Sequence, residues 1–498
     1  MRGDPMEEWD VVVAGGGNAA LCAAVAAAEG GARTLLVERA PEEERGGNSR
    51  FTDGAIRFAY SGADDVTQVV GRLRGAGGEP VDVGSYDADS YFADLIEVSG
   101  GRANETLCVT LAERSLPTLL WMKEQGVRFE LLFDQQAFRV DGEFRFWGGL
   151  IVRTVGKGRG LVDSLYVRAQ ERGVEVMYGV SASGLETGPD GAVRRLVVKD
   201  AAGEERRLAT RAIVLACGGF EADEVLRAQH LGEEWRDALV RGTRFNTGDG
   251  LRIALEAGAK KAGQWSGSHA VATDAGSPPF GDPTLPGDIF KKHSYPLGLI
   301  INREGRRFVD EGADFRNYTY ARYGREVLRQ PGGIAYQIFD ARVHNLLRKE
   351  YGEARATREE AGDIRSLAGK LGLDPDALER TVDEYNRGVR DGDFNPAVLD
   401  GKGTEGVDPP KTNWALPLDT PPFLGFPVRC GITFTFGGVS VDATARVLGE
   451  NGEPIPGLFA AGEMVGGLFY DNYPGGSGLM SGSVFGRIAG TEAARSRE

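Results

Sequence analysis

The chain has 498 residues, with 58 Lys and Arg against 73 Asp and Glu, a formal net charge of −15. At roughly 150 residues per domain this length predicts two or three domains, and the acidic balance argues against a nucleic-acid partner, whose phosphates need a basic footprint. A hydrophobic content of 41% excludes a disordered chain, and 73 glycines clustered beside apolar runs, without a triplet period, exclude collagen and point to a nucleotide-binding chain.

Cys22, Cys108, Cys217 and Cys430 stand far apart with no CxxC pair, so disulfide, zinc, iron–sulfur and haem sites have no support and no metal is expected. Residues 1–8 are acidic and lack the apolar run of a signal peptide, and no stretch approaches the roughly 20 apolar residues of a membrane span. A cytoplasmic protein with no direct membrane insertion is expected.

In chain order, residues 9–14 (WDVVVA) read as a strand buried on both faces. Gly15-Gly16-Gly17-Asn18-Ala19-Ala20 follows, then an Ala-rich, helix-forming stretch over 21–29. This is GxGxxA between strand and helix. Gly15 makes the tight turn, Gly17 lets backbone approach a pyrophosphate, Ala20 permits close helix–strand packing, and the helix start offers N–H groups to phosphates. Residues 33–37 form a second strand closed by Glu38, about 20 residues downstream and placed for ribose hydroxyls. The loop 46–54 (GGNSRFTDG) is rich in small and hydroxyl residues, as an extended dinucleotide requires beside its flavin half, and this favours FAD over NAD.

Residues 61–149 hold acidic turns and then helical periodicity over 87–124, a helical elaboration. A helix over 160–171 precedes a short strand over 173–180, residues 212–220 (AIVLACGGF) form another buried strand, and residues 244–250 (RFNTGDG) open an amphipathic helix with Thr247 or Asp249 as N-cap. From 264 to 432 the glycine clusters give way to charge, aromatic residues and proline; Asp374 starts a helix there, and 391–423 reads as a long surface loop or a mobile flap. Residues 457–463 run a strand into a Gly-rich loop, and the final helix begins near Ser477.

The stretches AGGGNAA, ERAPEEERGGNSRFTDG, VLACGGF, NTGDG, INREGRRFVDE and GLFAAGEMVGG…PGGSGL span nearly the whole chain. Together they resemble flavoproteins of the fumarate reductase/succinate dehydrogenase type. Within that family GGNSRFTDGAIRFAY, GRRFVDEGADFRNYTY and DNYPGGSGL are most similar to the tricarballylate dehydrogenase subgroup. The Tyr-Pro-Gly turn near the C-terminus is shared with 3-ketosteroid Δ1-dehydrogenases.

The resemblance implies an α/β fold: a doubly wound, Rossmann-like FAD-binding domain (1–263 and 433–498) with an inserted α+β cap domain (264–432). Candidate FAD contacts are Gly15, Gly17, Asn18, Ala19, Ala20, Glu38, Arg39, Gly47, Asn48, Ser49, Gly54, Val180, Ala216, Gly218, Asp249, Glu463, Ser477 and Leu479. Asn48 stands where covalently flavinylated members carry a histidine, so FAD is expected to be non-covalent. The helix from Ser477 is expected to aim its N-terminus at the flavin and stabilise the anionic reduced form.

In this family an arginine after the RFV-x-E segment transfers the proton; here that place falls to Arg316, one residue later than in soluble fumarate reductases. A carboxylate clamp and a surface salt bridge are its other readings. Arg306 and Arg307 read as structural ion-pair residues. His269 falls at a family substrate-binding histidine, and His293 and Tyr295 lie in a basic cluster. The family's relay glutamate is replaced in Phe290-Lys291-Lys292-His293, its C-terminal arginine by Tyr473, and a histidine before Gly437-Gly438 by a stretch holding Thr435. Tyr473 is read as a proton-transfer group or hydrogen-bond donor, or as a ring stacked near the flavin. Candidate catalytic residues are therefore Arg316 and Tyr473, and candidate substrate contacts are His269, His293, Tyr295 and Thr435.

The leading expectation is an FAD-dependent dehydrogenase acting on a C–C bond beside a carboxylate or carbonyl of a small molecule, with tricarballylate as the lead substrate. A separate electron-transfer protein is its expected partner. A steroid-like or secondary-metabolite carbonyl substrate, ene reduction, and a non-catalytic flavin scaffold are the alternatives.

Overall fold

The computed structural model describes residues 8–140, 142–146, 148–285 and 287–496; the expectation for the extreme N-terminus falls on residues 1–7, outside them. Strand Glu8–Ala14 lies parallel between Thr34–Glu38 and Glu205–Leu215, with Glu175–Tyr178 and Pro454–Ala460 extending the parallel sheet outward. Val11, Val12 and Val13 are fully buried, as a β-branched run covered on both faces must be. The α/β, doubly wound expectation holds. All these strands point their carboxyl ends at one crevice, the place where such sheets bind ligands.

Helix Asn18–Glu29 packs along the last helix, Ser477–Arg495. Gly482, Gly486 and Gly490 recur at four-residue spacing on the facing stripe, and a Cβ on Gly486 or Gly490 would collide with the Ala19 or Ala23 carbonyl. These glycines let two helices touch backbone to backbone, which holds the N-termini of both beside the crevice.

Near this sheet the expected helical periodicity holds, while one cap and one helix start differ from expectation. The 87–124 periodicity is two helices, Ala88–Val98 and Glu105–Glu124, capped by Asp87 and Asn104 and separated at Gly100-Gly101, both with positive φ. The helix Asp249–Glu256 is capped by neither Thr247 nor Asp249 but by left-handed Gly248. The helix expected from 160 begins at Lys157, and Asp374 caps Pro375–Gly388 through Asp376 and Ala377 N–H groups.

A second, six-stranded sheet is organised on Phe423–Val439, which pairs antiparallel with Lys261–Asp274 and with Ile334–Phe339. The expected cap boundaries at 264 and 432 fall inside these first two paired strands, so sheet rather than linker joins the two parts of the molecule. Helix Arg316–Leu328 lies across this sheet, and Gly324 allows its backbone to rest on Ala270-Val271. Residues 390–422 form neither helix nor extended strand, yet they are tied down rather than flap-like. Lys411 Nζ donates to the Gly298 carbonyl at 2.8 Å, Arg307 Nη1 to that of Pro409 at 2.6 Å, and Trp414 is buried.

Candidate active site

A single long cleft runs between the two sheets. At one end it is walled by Gly15–Ala19, Glu38, Arg39, Val180, Ala216, Gly218 and Asp249, and at the other by His269, Arg316, Tyr320, Phe434 and Tyr473. The first end is made largely of backbone. Gly15 has φ +118°, and a Cβ there would strike the Ala216 carbonyl. Gly17 caps the first helix without a side-chain acceptor, so the N–H groups of Ala19 and Ala20 lack intrahelical partners. Asn18 N donates to Ser49 Oγ at 3.0 Å, fastening the second Gly-rich loop to the same spot. Glu38 accepts from Ala40 N at 2.7 Å, and burial pushes its carboxyl up to about 7. Arg39 spans to Thr247 and to Asp249 Oδ2, the latter at 2.6 Å.

Mid-cleft, Asn48 donates to Glu221 Oε1 at 2.6 Å and to the Thr433 carbonyl at 2.8 Å, and accepts from Thr243 N at 2.9 Å. Glu463 takes the N–H and the hydroxyl of Thr435 at 2.6 and 2.8 Å. Burial, with the Glu221 carboxyl facing it, holds Glu463 well above the carboxylate range, so this pair retains a proton at neutral pH. Thr435 has committed its hydroxyl proton to Glu463 and offers a substrate only lone pairs.

The second end is built from side chains. A register shift in the pairing of Lys261–Asp274 with Phe423–Val439 flanks His269, which sits opposite Phe434, and such irregularities re-aim side chains. His269 lies 4.8 Å from the Tyr473 ring and 5.1 Å from Tyr320, centroid to centroid. Burial holds His269 and His293 well below the usual imidazole range, so both are neutral. Both His269 nitrogens and His293 Nε2 lack a hydrogen-bond partner among the described residues. The hydroxyls of Tyr320 and Tyr473 are 2.8 Å apart, and burial raises both.

Arg316 opens its helix without a side-chain cap, and its guanidinium lies 5.4 Å from the Tyr320 ring centroid. Burial, then the Arg348 charge, lowers it to about 10. Its Nη2 donates to Asn317 Oδ1 at 2.5 Å, and no carboxylate among the described residues forms an ion pair with it. Beside it, Arg241 pairs with Asp288, with Nε to Oδ2 at 2.7 Å. Lys291, pushed down to about 7 by burial, pairs with Asp53 and lies 3.2 Å from Glu350. Arg307 pairs with buried Glu311 at 2.5 Å and Arg306 with Glu304, as structural ion pairs.

Several expected contacts lie elsewhere. Tyr295 is fully buried away from the cleft, with its hydroxyl 2.6 Å from Thr319 Oγ1 and its ring against Tyr323. Gly54 is a fold glycine, where a Cβ would collide with Thr154 Oγ1. Ser477 faces Tyr91 at 2.9 Å and Ala20 is packed in the core; Asn18 stays in the cleft wall, with its side chain bonded to Leu479 and Ser483 of the last helix. Ala19, Gly47, Asn48, Ser49, Val180, Ala216, Gly218, Asp249, Glu463 and Leu479 border the cleft, as do His269, His293, Thr435, Arg316 and Tyr473. Sequence reasoning did not find Arg241, Asp288 or Tyr320. Tyr320 carried a usable signal, because four residues after Arg316 on one helix it shares that face.

A Gly-lined crevice at the carboxyl edge of a parallel sheet, with two helix N-termini beside it, defines a dinucleotide-binding flavoprotein. The chain belongs to the FAD binding domain family, whose model matches residues 10–479, and its cleft fits FAD. It is 28% identical over 419 residues to a probable fumarate reductase of Shewanella frigidimarina, covering 83% of this chain and 65% of that protein. It is also 28% identical to a vinyl phenol reductase of Lactiplantibacillus plantarum (89% and 94%) and to a 3-oxosteroid 1-dehydrogenase of Mycobacterium tuberculosis (67% and 62%). The open conformation of a flavocytochrome c3 fumarate reductase superposes with a TM-score of 0.74 at 25% identity, covering 99% of this chain and 79% of that one. The chain thus spans less than two thirds of the length of the first relative. Among the described residues no helix is long and apolar enough to cross a membrane.

Proposed function

We propose that the protein is an FAD-dependent oxidoreductase that adds or removes hydrogen across a C–C bond beside a carboxylate or carbonyl. The observation that carries this reading is the Arg316 guanidinium, half-buried, without a carboxylate partner among the described residues, and adjacent to the hydrogen-bonded Tyr320–Tyr473 pair in the cleft. Bound FAD would supply hydride exchange, held by the Gly15–Ala19 turn, Ser49, Glu38 and Glu463.

The chain's own residues would do the rest. Arg316 neutralises the substrate oxygen and stabilises the charge that develops when the neighbouring carbon loses or gains a proton. Tyr473, with Tyr320 bonded to its hydroxyl, or Arg316 itself, holds that proton. Neutral His269 and His293 donate to a second oxygen. The aromatic rings and the tied-down 390–422 segment keep water from the reacting carbons. Electrons would pass to a separate electron-transfer protein, and a cytoplasmic location belongs to the same reading. A non-catalytic scaffold would have no use for a half-buried guanidinium that lacks a carboxylate partner among the described residues at this place.

The test is anaerobic mixing of the oxidised holoenzyme with tricarballylate, then of the dithionite-reduced holoenzyme with enoates and enones, following the flavin absorption band. Bleaching in the first arm or recovery in the second supports the reading. Arg316→Met should cut turnover at least about a hundredfold while the flavin spectrum is retained; turnover that survives would overturn the assignment.

A further inference from the structure

Charge can be accounted for group by group at the substrate end of the cleft. Arg241 is neutralised by Asp288, with Nε to Oδ2 at 2.7 Å, and its Nη1 donates to Thr433 Oγ1 at 2.6 Å. Lys291 pairs with Asp53, which also takes Lys157 at 3.3 Å from outside the cleft lining. Behind them Glu350, 3.7 Å from Arg348 and 3.2 Å from Lys291, offsets the Arg348 charge. Arg316 is left as the one cation in this wall without an ion-pair partner among the described residues. His269 and His293 add donors but no charge, because burial keeps both neutral. A ligand with two or three carboxylates would bring more negative charge into this enclosure than it can match, and each unmatched buried charge is strongly unfavourable.

The surface beside Arg316 is aromatic. Tyr320, His269, Phe434, Tyr473 and Phe469 form a continuous series of ring contacts, three edge-on and the His269–Phe434 one tilted, with successive centroids 5.1, 5.4, 5.2 and 5.5 Å apart. All five border the cleft. Such a wall gains little from a short polar acid and much from a flat apolar body. His293, 5.1 Å from the Tyr320 ring, closes the corner between wall and guanidinium.

We infer that the substrate is a monoanion: one carboxylate on Arg316, conjugated or directly joined through the reacting C–C bond to a planar, apolar body lying on the Tyr320–Phe469 wall. This rests on the reading of the cleft as a substrate site but narrows its occupant to the class of 3-arylpropenoates and their saturated counterparts. In the reductive direction a hydride equivalent enters at the aryl-bearing carbon, a proton enters at the carbon beside the carboxylate, and the reduced flavin supplies the electron pair.

The test reads binding rather than turnover. Purified oxidised holoenzyme is titrated with trans-cinnamate, with its neutral isostere cinnamamide, and with tricarballylate, and the flavin absorption band is followed. Cinnamate should perturb the flavin at least about tenfold more tightly than either other ligand, since a desolvated charge-assisted pair is lost in one and unmatched charge is added in the other. Arg316→Met should equalise cinnamate and cinnamamide, and Arg316→Lys should restore part of the preference. Phe434→Leu should weaken cinnamate while sparing acrylate. An unperturbed flavin band in each variant reports an intact fold. Tighter binding of tricarballylate, equal binding of acid and amide by the unaltered protein, or no cinnamate binding overturns the inference. If cinnamate binds as expected but never exchanges hydrogen with the flavin, the reaction reading fails while the ligand assignment stands.

Discussion

The two ends of the cleft are built from different material. At the dinucleotide end the wall is main chain: Gly15–Gly17 and the starts of two helices, pinned by the packing of Asn18–Glu29 against Ser477–Arg495. At the other end it is side chains from four separated stretches: His269 on one strand, Lys291 and His293 after it, Arg316 and Tyr320 on one helix, and Phe434 and Tyr473 near the C-terminus. A backbone wall tolerates almost no added atom and recognises phosphates that every dinucleotide shares. A side-chain wall can be changed residue by residue while the sheet beneath stays the same, so substrate choice can vary over one constant scaffold.

This contrast predicts opposite outcomes for mutation. Gly15→Val is expected to have the largest effect. The branched side chain would need a φ near +118° and the volume held by the Ala216 carbonyl, so holoprotein should be lost altogether, with destabilisation above about 4 kcal/mol. Recovery of FAD-loaded protein in normal yield would break the comparison. Tyr473→Phe removes one hydroxyl from the other end and should leave FAD content and melting temperature within error. Turnover should fall about tenfold to a hundredfold, and Tyr320→Phe should give a smaller loss, because its hydroxyl acts through Tyr473. A drop in FAD occupancy in either tyrosine variant would show that the two ends are not separable.

The same contrast explains what could be read from the sequence. GxGxxA, GGNSR and LACGG are local patterns, and backbone geometry at three to six consecutive residues is what they encode, so the main-chain turns that wall this end were legible, while Gly54, Ala20 and Ser477 fall outside the wall. Arg316 was singled out through the family resemblance of the segment that precedes it, and the structure places it in the cleft wall. The Tyr320–Tyr473 bond joins residues 153 positions apart, and the Arg241–Asp288 pair joins two loop residues 47 positions apart that only tertiary folding brings together. Tyr295 shows the reverse error: proximity in sequence to His293 suggested a shared site, but the turn Tyr295–Leu297 rotates its ring into the core against Tyr323. Thr247 or Asp249 was expected as the cap by residue type, yet left-handed Gly248 performs that role and leaves both to Arg39.

A pH-dependent effect on stability lies back at the dinucleotide end, in Glu38. Its carboxyl is buried and pushed up from 4.5 to about 7, first by desolvation. The unfolded chain therefore loses this proton near its ordinary carboxylate value while the folded, FAD-free protein keeps it until about pH 7. Between those values the folded state binds more protons, so this group makes stability fall as pH rises, by up to about 3 kcal/mol in total, with no further change above the folded value. Glu38→Gln should flatten that part of the curve in thermal melts of FAD-stripped protein from pH 4.5 to 7.5. Adding FAD to the unaltered protein should flatten it too, because ribose hydroxyls donating to the carboxylate favour its charged form. A slope in the stripped protein that Glu38→Gln leaves unchanged would mean that another buried acid, with the Glu221–Glu463 pair first among them, carries the pH dependence of this end of the cleft.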